Sequence, residues 1–290
     1  MRDISISIVI LTKNAGNTFE STLKAIYCQD IDKTYEVIAV DSGSVDETLK
    51  LLKKYNVKIS TINPEDFNFG LTRNFGFSLS SGSILVTISQ DALPSDAKWL
   101  SNIINPFFED DNIVAVQGST RIPENSDAFY WEKIGYFYFT SESYNWINKY
   151  NLGLSFVNCA IRKEYWENNQ LGYVFHSEDK VFQKIIHGSR KKIYMANNAA
   201  CYHGHQYSLI ALIRRLINEG KGWKYAGVHY GFADCIKDLF NNKCLIRKSV
   251  NALMNGEIRS VQEFIFPILR PFLIFLGNRK TIRKDMVLSI

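Results

Sequence analysis

Residues Ile4 to Gly16 read ISISIVILTKNAG, and residues Tyr35 to Thr48 read YEVIAVDSGSVDET. Each is a run of β-branched and apolar residues that stops at a short polar loop. A strand buried on both faces needs such a run, without polar alternation. Between them Phe19, Leu23 and Ile26 recur at i, i+4, i+7, the stripe of a helix with one buried side. The pattern repeats outward. Leu49, Leu51, Leu52 and Tyr55 give a second helix, Val57 to Ile62 a third strand, Leu71 to Ser80 a third helix and Ile84 to Ile88 a fourth strand. Ser44-Val45-Asp46-Glu47 has the S-x-x-E form of a capping box and predicts where the second helix starts. This alternation predicts an α/β fold, a mostly parallel sheet flanked by helices.

Such sheets bind ligands beyond the carboxyl ends of their strands. The loops there are Thr12-Lys13-Asn14, Asp41-Ser42-Gly43-Ser44 and Gln90-Asp91-Ala92. No G-x-G-x-x-G follows the first strand and no G-x-x-x-x-G-K-[ST] occurs, which argues against a dinucleotide enzyme and a Walker-type NTPase. Further on, Leu100, Ile103, Ile104 and Phe107 form a helix stripe, and Ile113 to Gln117, Leu154 to Ile161 and Ile193 to Ala196 read as strands. Glu178-Asp179 opens a helix with Val181, Phe182, Ile185 and Ile186 inward, and from Ser208 the chain reads as helical. The aromatic crowd in 129–150 fits a hydrophobic insertion packed on the sheet, or a wall that stacks on sugar rings.

The 290 residues carry 34 Lys+Arg and 29 Asp+Glu, a net charge of +5, and 46% are hydrophobic. That composition excludes global disorder, and the mild positive charge suits an anionic small molecule or a membrane surface. Five scattered cysteines without a C-x-x-C predict small buried hydrophobes in a reducing compartment. Met1-Arg2-Asp3 runs directly into a strand without the pattern of a secretory signal, so a cytoplasmic protein is expected. The longest apolar stretch, Phe264 to Leu276, is broken by Pro267, Arg270 and Pro271 and is short for a spanning helix. Its mixture with basic residues from Arg247 to Arg283 and Lys284 fits an interfacial helix pair, a dimer contact or core packing.

Six motifs follow in order: SIVILTKNAG, VDSGSVDET, FNFGLTRNFG, SQDALP, HSEDKVFQKIIHG and YHGHQYSLIALIRRLINEG. With them the chain resembles family-2 glycosyltransferases from Ile4 to about Gly222. In its F-N-x-G-x-T-R-N and Q-D-A forms it is most similar to bacterial rhamnosyltransferases. The resemblance implies a GT-A fold, an inverting mechanism, a nucleotide-diphosphate sugar donor and Mg²⁺ or Mn²⁺. It divides the chain into a transferase domain, 1–222, and a helical C-terminal extension, 223–290. Within the domain, 1–118 is the nucleotide-sugar half and 119–222 the acceptor and catalytic half.

The resemblance also assigns roles. Asp41 fits an acceptor for the imide N–H of uracil or thymine, or a turn aspartate; Asp46 fits a helix cap. Thr12, Asn14 and Gln90 fall on the donor side, although turn chemistry accounts for Thr12 and Asn14 as well. Arg73, assisted by Asn74, suits a diphosphate or a surface ion pair; the family often has His where Phe69 stands. Asp91 is the metal ligand, without a second aspartate beside it, and His203 adds an imidazole. Asp179 is the catalytic base, with Glu178, His205 and Arg215 in acceptor or secondary roles; an acidic first helical turn also accounts for Glu178 and Asp179. The implied partners are a dTDP- or UDP-linked sugar and a glycan or lipid-linked glycan, with peripheral membrane contact and no nucleic acid. Two other readings stand beside this one. A sugar nucleotidyltransferase would need a Gly-rich basic loop after the first strand, and a non-catalytic sugar-binding protein would have a degenerate metal site.

Overall fold

The computed structural model describes residues 5–124, 126–241 and 243–280; Ile4, Arg283 and Lys284 lie outside them. The strands are β1 (Ile6–Thr12), β2 (Tyr35–Asp41), β3 (Lys58–Thr61), β4 (Ile84–Ile88), β5 (Leu93–Pro94), β6 (Ile113–Arg121), β7 (Asn158–Arg162) and β8 (Lys192–Tyr202). Helices α1 (Phe19–Tyr27), α2 (Thr48–Lys54), α3 (Phe69–Ser78) and α4 (Trp99–Ile104) alternate with the first strands. The rest are α5 (Tyr130–Lys133), α6 (Ser141–Tyr150), α7 (Lys163–Glu167), α8 (Glu178–Gly188), α9 (Leu209–Tyr225), α10 (Phe232–Asn241), α11 (Lys243–Met254) and α12 (Val261–Arg279).

The chain forms two units from six alternating segments. The first comprises the residues up to Arg121, Leu154–Tyr173 and Val181–His203. It holds one eight-stranded sheet in the order β3-β2-β1-β4-β7-β6-β8-β5. β1 to β4 are parallel, with Ile8 opposite both Val37 and Val86. β7 is antiparallel to β4 and β6, β6 and β8 are parallel, and β5 returns antiparallel along the end of β8. The core joins Ile6, Ile8 and Ile10 to Phe19, Leu23 and Ile26, the stripes read from the sequence.

Local departures have local causes. β7 begins at Asn158 rather than Leu154, because side-chain amides take the preceding backbone donors: Leu154 N–H donates to Gln183 and Ser155 N–H to Gln117. The capping box at Ser44 does not form. Ser44 Oγ donates to Asp41 Oδ2 at 2.5 Å, and α2 starts only at Thr48. The pattern forms instead at Ser260-x-x-Glu263, where Ser260 Oγ caps the Glu263 N–H and the Glu263 carboxylate reaches back to the Arg259 N–H. Of the cysteines, Cys159, Cys201 and Cys235 are buried as expected, but Cys28 and Cys244 are exposed.

The second unit, Ile122–Gly153, Val174–Lys180 and the chain from Gly204, is helical. Residues 223–280, expected as an extension, belong to it. Leu245, Phe266 and Leu273 share one core with Phe129, Trp131, Phe137 and Phe139, so most of the aromatic crowd is interior. α12 is one continuous helix rather than two pieces, with both Pro267 and Pro271 inside it. A proline removes the N–H that would bond the carbonyl four residues back. For Pro267 that carbonyl belongs to Glu263, and Trp131 Nε1 donates to it at 2.6 Å. Arg270, fully buried, makes a two-pronged pair with Glu219 at 3.0 and 2.7 Å. Burial alone would raise the Glu219 carboxyl; the Arg270 charge outweighs it and holds the pKa at about 2.

Candidate active site

At the carboxyl ends of β1 and β2, two loops lock together. Asp41, fully buried, accepts from Thr12 Oγ1 (3.0 Å) and Ser44 Oγ on Oδ2, and from the Gly43 and Ser44 N–H groups on Oδ1. Its carboxylate therefore faces its own turn and fixes Thr12 and Ser44. Asn14 adopts φ +45 and stays exposed; its Oδ1 accepts from the Val45 N–H, and its own N–H donates to Ser44 Oγ. Asp46 accepts from Thr48 and from the Gly16 N–H, and the Thr48 hydroxyl bond lowers its pKa. Lys13 Nζ donates to the Ser42 and Gly43 carbonyls, both at 2.8 Å, which places an ammonium over the turn. Gln90 then ties β4 to this loop by accepting from the Lys13 N–H (2.9 Å) and donating to the Lys13 carbonyl (3.1 Å).

Arg73 is buried rather than at the surface. It lies in the second turn of α3, 7% exposed, with its guanidinium 2.5 Å from Thr87 Oγ1 and over the Phe156 ring at 4.8 Å. Asn74 is likewise committed: its Oδ1 accepts from Trp166 Nε1 and the Leu171 N–H, and its amide donates to the Leu171 carbonyl. These two residues cross-link the first unit.

Asp91 follows β4 in the turn before β5 and is exposed. The short β5 pairs Leu93 with Tyr202 and Pro94 with Cys201, so the turn that precedes β5, Asp91-Ala92, lies beside the residue that follows β8. That register places Asp91 Oδ1 3.3 Å from His203 Nε2. His203 is anchored by its own N–H, which donates to the Arg121 carbonyl. An exposed carboxylate oxygen beside an imidazole nitrogen is a donor set that fits a divalent cation, with the nitrogen favouring Mn²⁺ over Mg²⁺.

In the second unit, Asp179 lies in the first turn of α8; its side chain is 20% exposed and 3.8 Å from Lys180 Nζ. Glu178 beside it is buried. The approach to α8 is unusual, because Ser177 takes φ +62, a left-handed conformation uncommon outside glycine. Gly222 of α9 makes room for it: a Cβ there would sit 2.2 Å from Ser177 Oγ and 3.0 Å from the His176 carbonyl. Burial, then the Arg215 charge, hold the His176 imidazole below its ordinary pKa, so it is neutral near pH 7. Arg215 lies over the Phe137 and Tyr207 rings and donates to Tyr138 Oη at 3.3 Å. His205 is gripped by Glu132, whose Oε2 accepts its N–H and whose Oε1 lies 3.1 Å from Nδ1. Burial would raise the Glu132 pKa, but the His205 and Tyr207 bonds bring it below the usual value. Sequence reasoning named Lys13 only as part of its loop, without a role, and did not single out Glu132 or Gly222. For Gly222 there was a signal, since Gly220 and Gly222 interrupt an otherwise helical run.

This sheet and these loops form a GT-A fold, and solved structures share it. A mannosyltransferase from Pyrobaculum calidifontis, solved with GDP-Man and Mn²⁺, aligns with a TM-score of 0.56 at 16% identity over 95% of this chain and 70% of that one. Glucosyl-3-phosphoglycerate synthase from Mycobacterium tuberculosis, solved with Mn²⁺ and UDP, gives 0.59 at 18% over 77% and 78%. The chain belongs to glycosyl transferase family 2, whose sequence pattern matches residues 7–169, more than half of its length. Among curated relatives, the O-antigen chain rhamnosyltransferase RfbN of Salmonella typhimurium is 36% identical over 119 residues, 40% of this chain and 37% of that protein. WbaN of Salmonella anatum, also named an O-antigen chain rhamnosyltransferase, is 30% identical over 115 residues, 39% and 36%. The matches thus span little more than a third of these relatives.

Proposed function

We propose that the protein is an inverting glycosyltransferase of polysaccharide biosynthesis. It moves a sugar, with rhamnose the first choice, from a dTDP- or UDP-linked donor to a hydroxyl of a glycan or lipid-linked glycan. Family membership sets the reaction class, and the two Salmonella relatives motivate the choice of sugar. The observation that carries the reading is the Asp91–His203 pair at the ligand-binding ends of the strands.

In this reading Thr12, Asn14 and Gln90 form the donor side, with Asp41 fixing the loop that bears Thr12. Lys13 supplies a cation for the diphosphate. Asp91 and His203 hold Mg²⁺ or Mn²⁺, which when bound offsets charge on the leaving diphosphate. Asp179 takes the proton from the acceptor hydroxyl. That oxygen bonds to the anomeric carbon while the carbon–oxygen bond to the diphosphate breaks, and the bonding electrons leave with the nucleotide.

The test is a thermal-shift panel of UDP-, dTDP- and GDP-sugars with Mn²⁺, followed by nucleotide release with a glycan acceptor. A donor that stabilises the protein and is consumed supports the proposal. Asp179→Asn should cut turnover by about 10²–10⁴ and leave the donor shift unchanged. Donor stabilisation without any consumption would mean a binding protein, and synthesis of a nucleotide sugar from a nucleoside triphosphate would mean a nucleotidyltransferase.

A further inference from the structure

α11 carries apolar residues on two faces. Leu245, Ser249 and Ala252 are buried, and Leu245 and Ala252 join the core of the second unit. On the other side Ile246, Val250, Leu253 and Met254 are 38, 42, 51 and 81% exposed. Their spacing is i, i+4, i+7, i+8, one continuous outward stripe. The inner face accounts for the helix's place in the fold; the outer stripe has no such role among the described residues. Scattered exposed apolar side chains are ordinary, but a stripe at helical period is not.

The charged residues of α11 itself are all basic, and the exposed Glu257 follows only after the helix has ended. Lys243 and Arg247 are exposed on α11, as is Lys237 on α10. Of the acidic residues of α10, Asp238 is buried and accepts from Tyr230 Oη and Ser141, and Asp234, half-buried, accepts from the Gly231 N–H. α11 has no acidic residue. Phe240, 64% exposed, extends the apolar surface from α10.

We propose that the outer face of α11 is a docking surface for an anionic lipid bilayer, with the helix lying in the interface plane. An apolar stripe flanked by Lys and Arg matches such a surface in both hydrophobicity and charge. A second copy fits less well, because a two-fold contact of α11 with itself sets like charges together. Spanning is not the mode. α12 has the length and apolarity to cross a membrane, but 56% of its most apolar window is buried inside the fold, and Arg270 is paired there with Glu219. The proposal is independent of the glycosyl-transfer reading, since it concerns where the protein sits rather than what it transfers.

Flotation of the full chain with vesicles tests it. Vesicles of phosphatidylglycerol and phosphatidylethanolamine should carry the protein at low salt, and pure phosphatidylcholine vesicles should carry at least tenfold less. Val250→Asp with Leu253→Asp, and separately Lys243→Glu with Arg247→Glu, should each reduce binding at least tenfold, with unchanged circular dichroism and nucleotide release. Met254→Asp, at the most exposed position, replaces the first pair if that pair fails to fold. Absence of binding to anionic vesicles at low salt, or variants that bind as well as wild type, would overturn the proposal. So would a dimer in light scattering that the Val250 and Leu253 substitutions dissolve, which would make the stripe a contact between copies.

Discussion

Trp131 Nε1 donates to the main-chain carbonyl of Glu263 at 2.6 Å, taking the acceptor that Pro267 leaves without its usual helical partner. A side chain 132 residues away in sequence thus completes the backbone bonding of α12. Trp131 is fully buried, so Trp131→Phe leaves a buried carbonyl unsatisfied and should lower stability by about 1–3 kcal/mol, with packing loss in addition. Urea denaturation measures it. Adding Pro267→Ala should recover part of the loss, because residue 267 then has an N–H of its own; no recovery would show that packing alone was lost.

Gly222→Ala should disturb the turn before Asp179, since the new methyl meets Ser177 Oγ at 2.2 Å. Nucleotide release should fall at least tenfold while the donor-induced thermal shift persists. Combining it with Ser177→Gly removes the clashing side chain and suits φ +62. The double variant should therefore be more active than Gly222→Ala alone; equal activities would break the link.

Asp91→Ala and His203→Ala should each weaken Mn²⁺ binding at least tenfold, followed by the paramagnetic signal of free Mn²⁺. With one carboxylate in the pair, wild-type affinity should itself be below that of sites built on two aspartates. Full activity of wild type in excess EDTA would show that protein cations alone neutralise the leaving group.

Glu142 is buried, and burial lifts its carboxyl to about 7 from 4.5, against the pull of Arg270. The folded state then holds a proton that the unfolded chain has released between those values. Stability falls as pH rises from about 4.5 to 7 and stays reduced above. Glu142→Gln should remove that slope, so its melting temperature relative to wild type should climb from pH 5 to pH 8. A pH-independent difference would assign the effect to packing.

The fold was legible because strands buried on both faces and one-sided helices leave different periods in the sequence, and β1 to β4 with α1 to α3 fall close to where those periods place them. Asp91 and His203 were legible through motif position. What brings them together is the two-residue β5, which is too short to leave any period. Asp41 and Arg73 show a different gap. Their residue types suit ligands, but only three-dimensional packing reveals that one is enclosed by its own turn and the other by Thr87 and Phe156. The S-x-x-E pattern occurs at Ser44 and at Ser260 and caps a helix only at the second. At the first, Asp41 competes for the hydroxyl.

The alternation of segments between the two units also bears on synthesis. A chain leaves the ribosome at about 5–20 residues per second. The stretch with Phe129, Trp131, Phe137 and Phe139 emerges early, whereas Phe266 and Leu273 of the same core lie more than 100 residues later. For roughly 5–25 s the nascent protein therefore carries its most aromatic stretch without those partners. In that interval these rings lack the side chains that cover them in the folded protein.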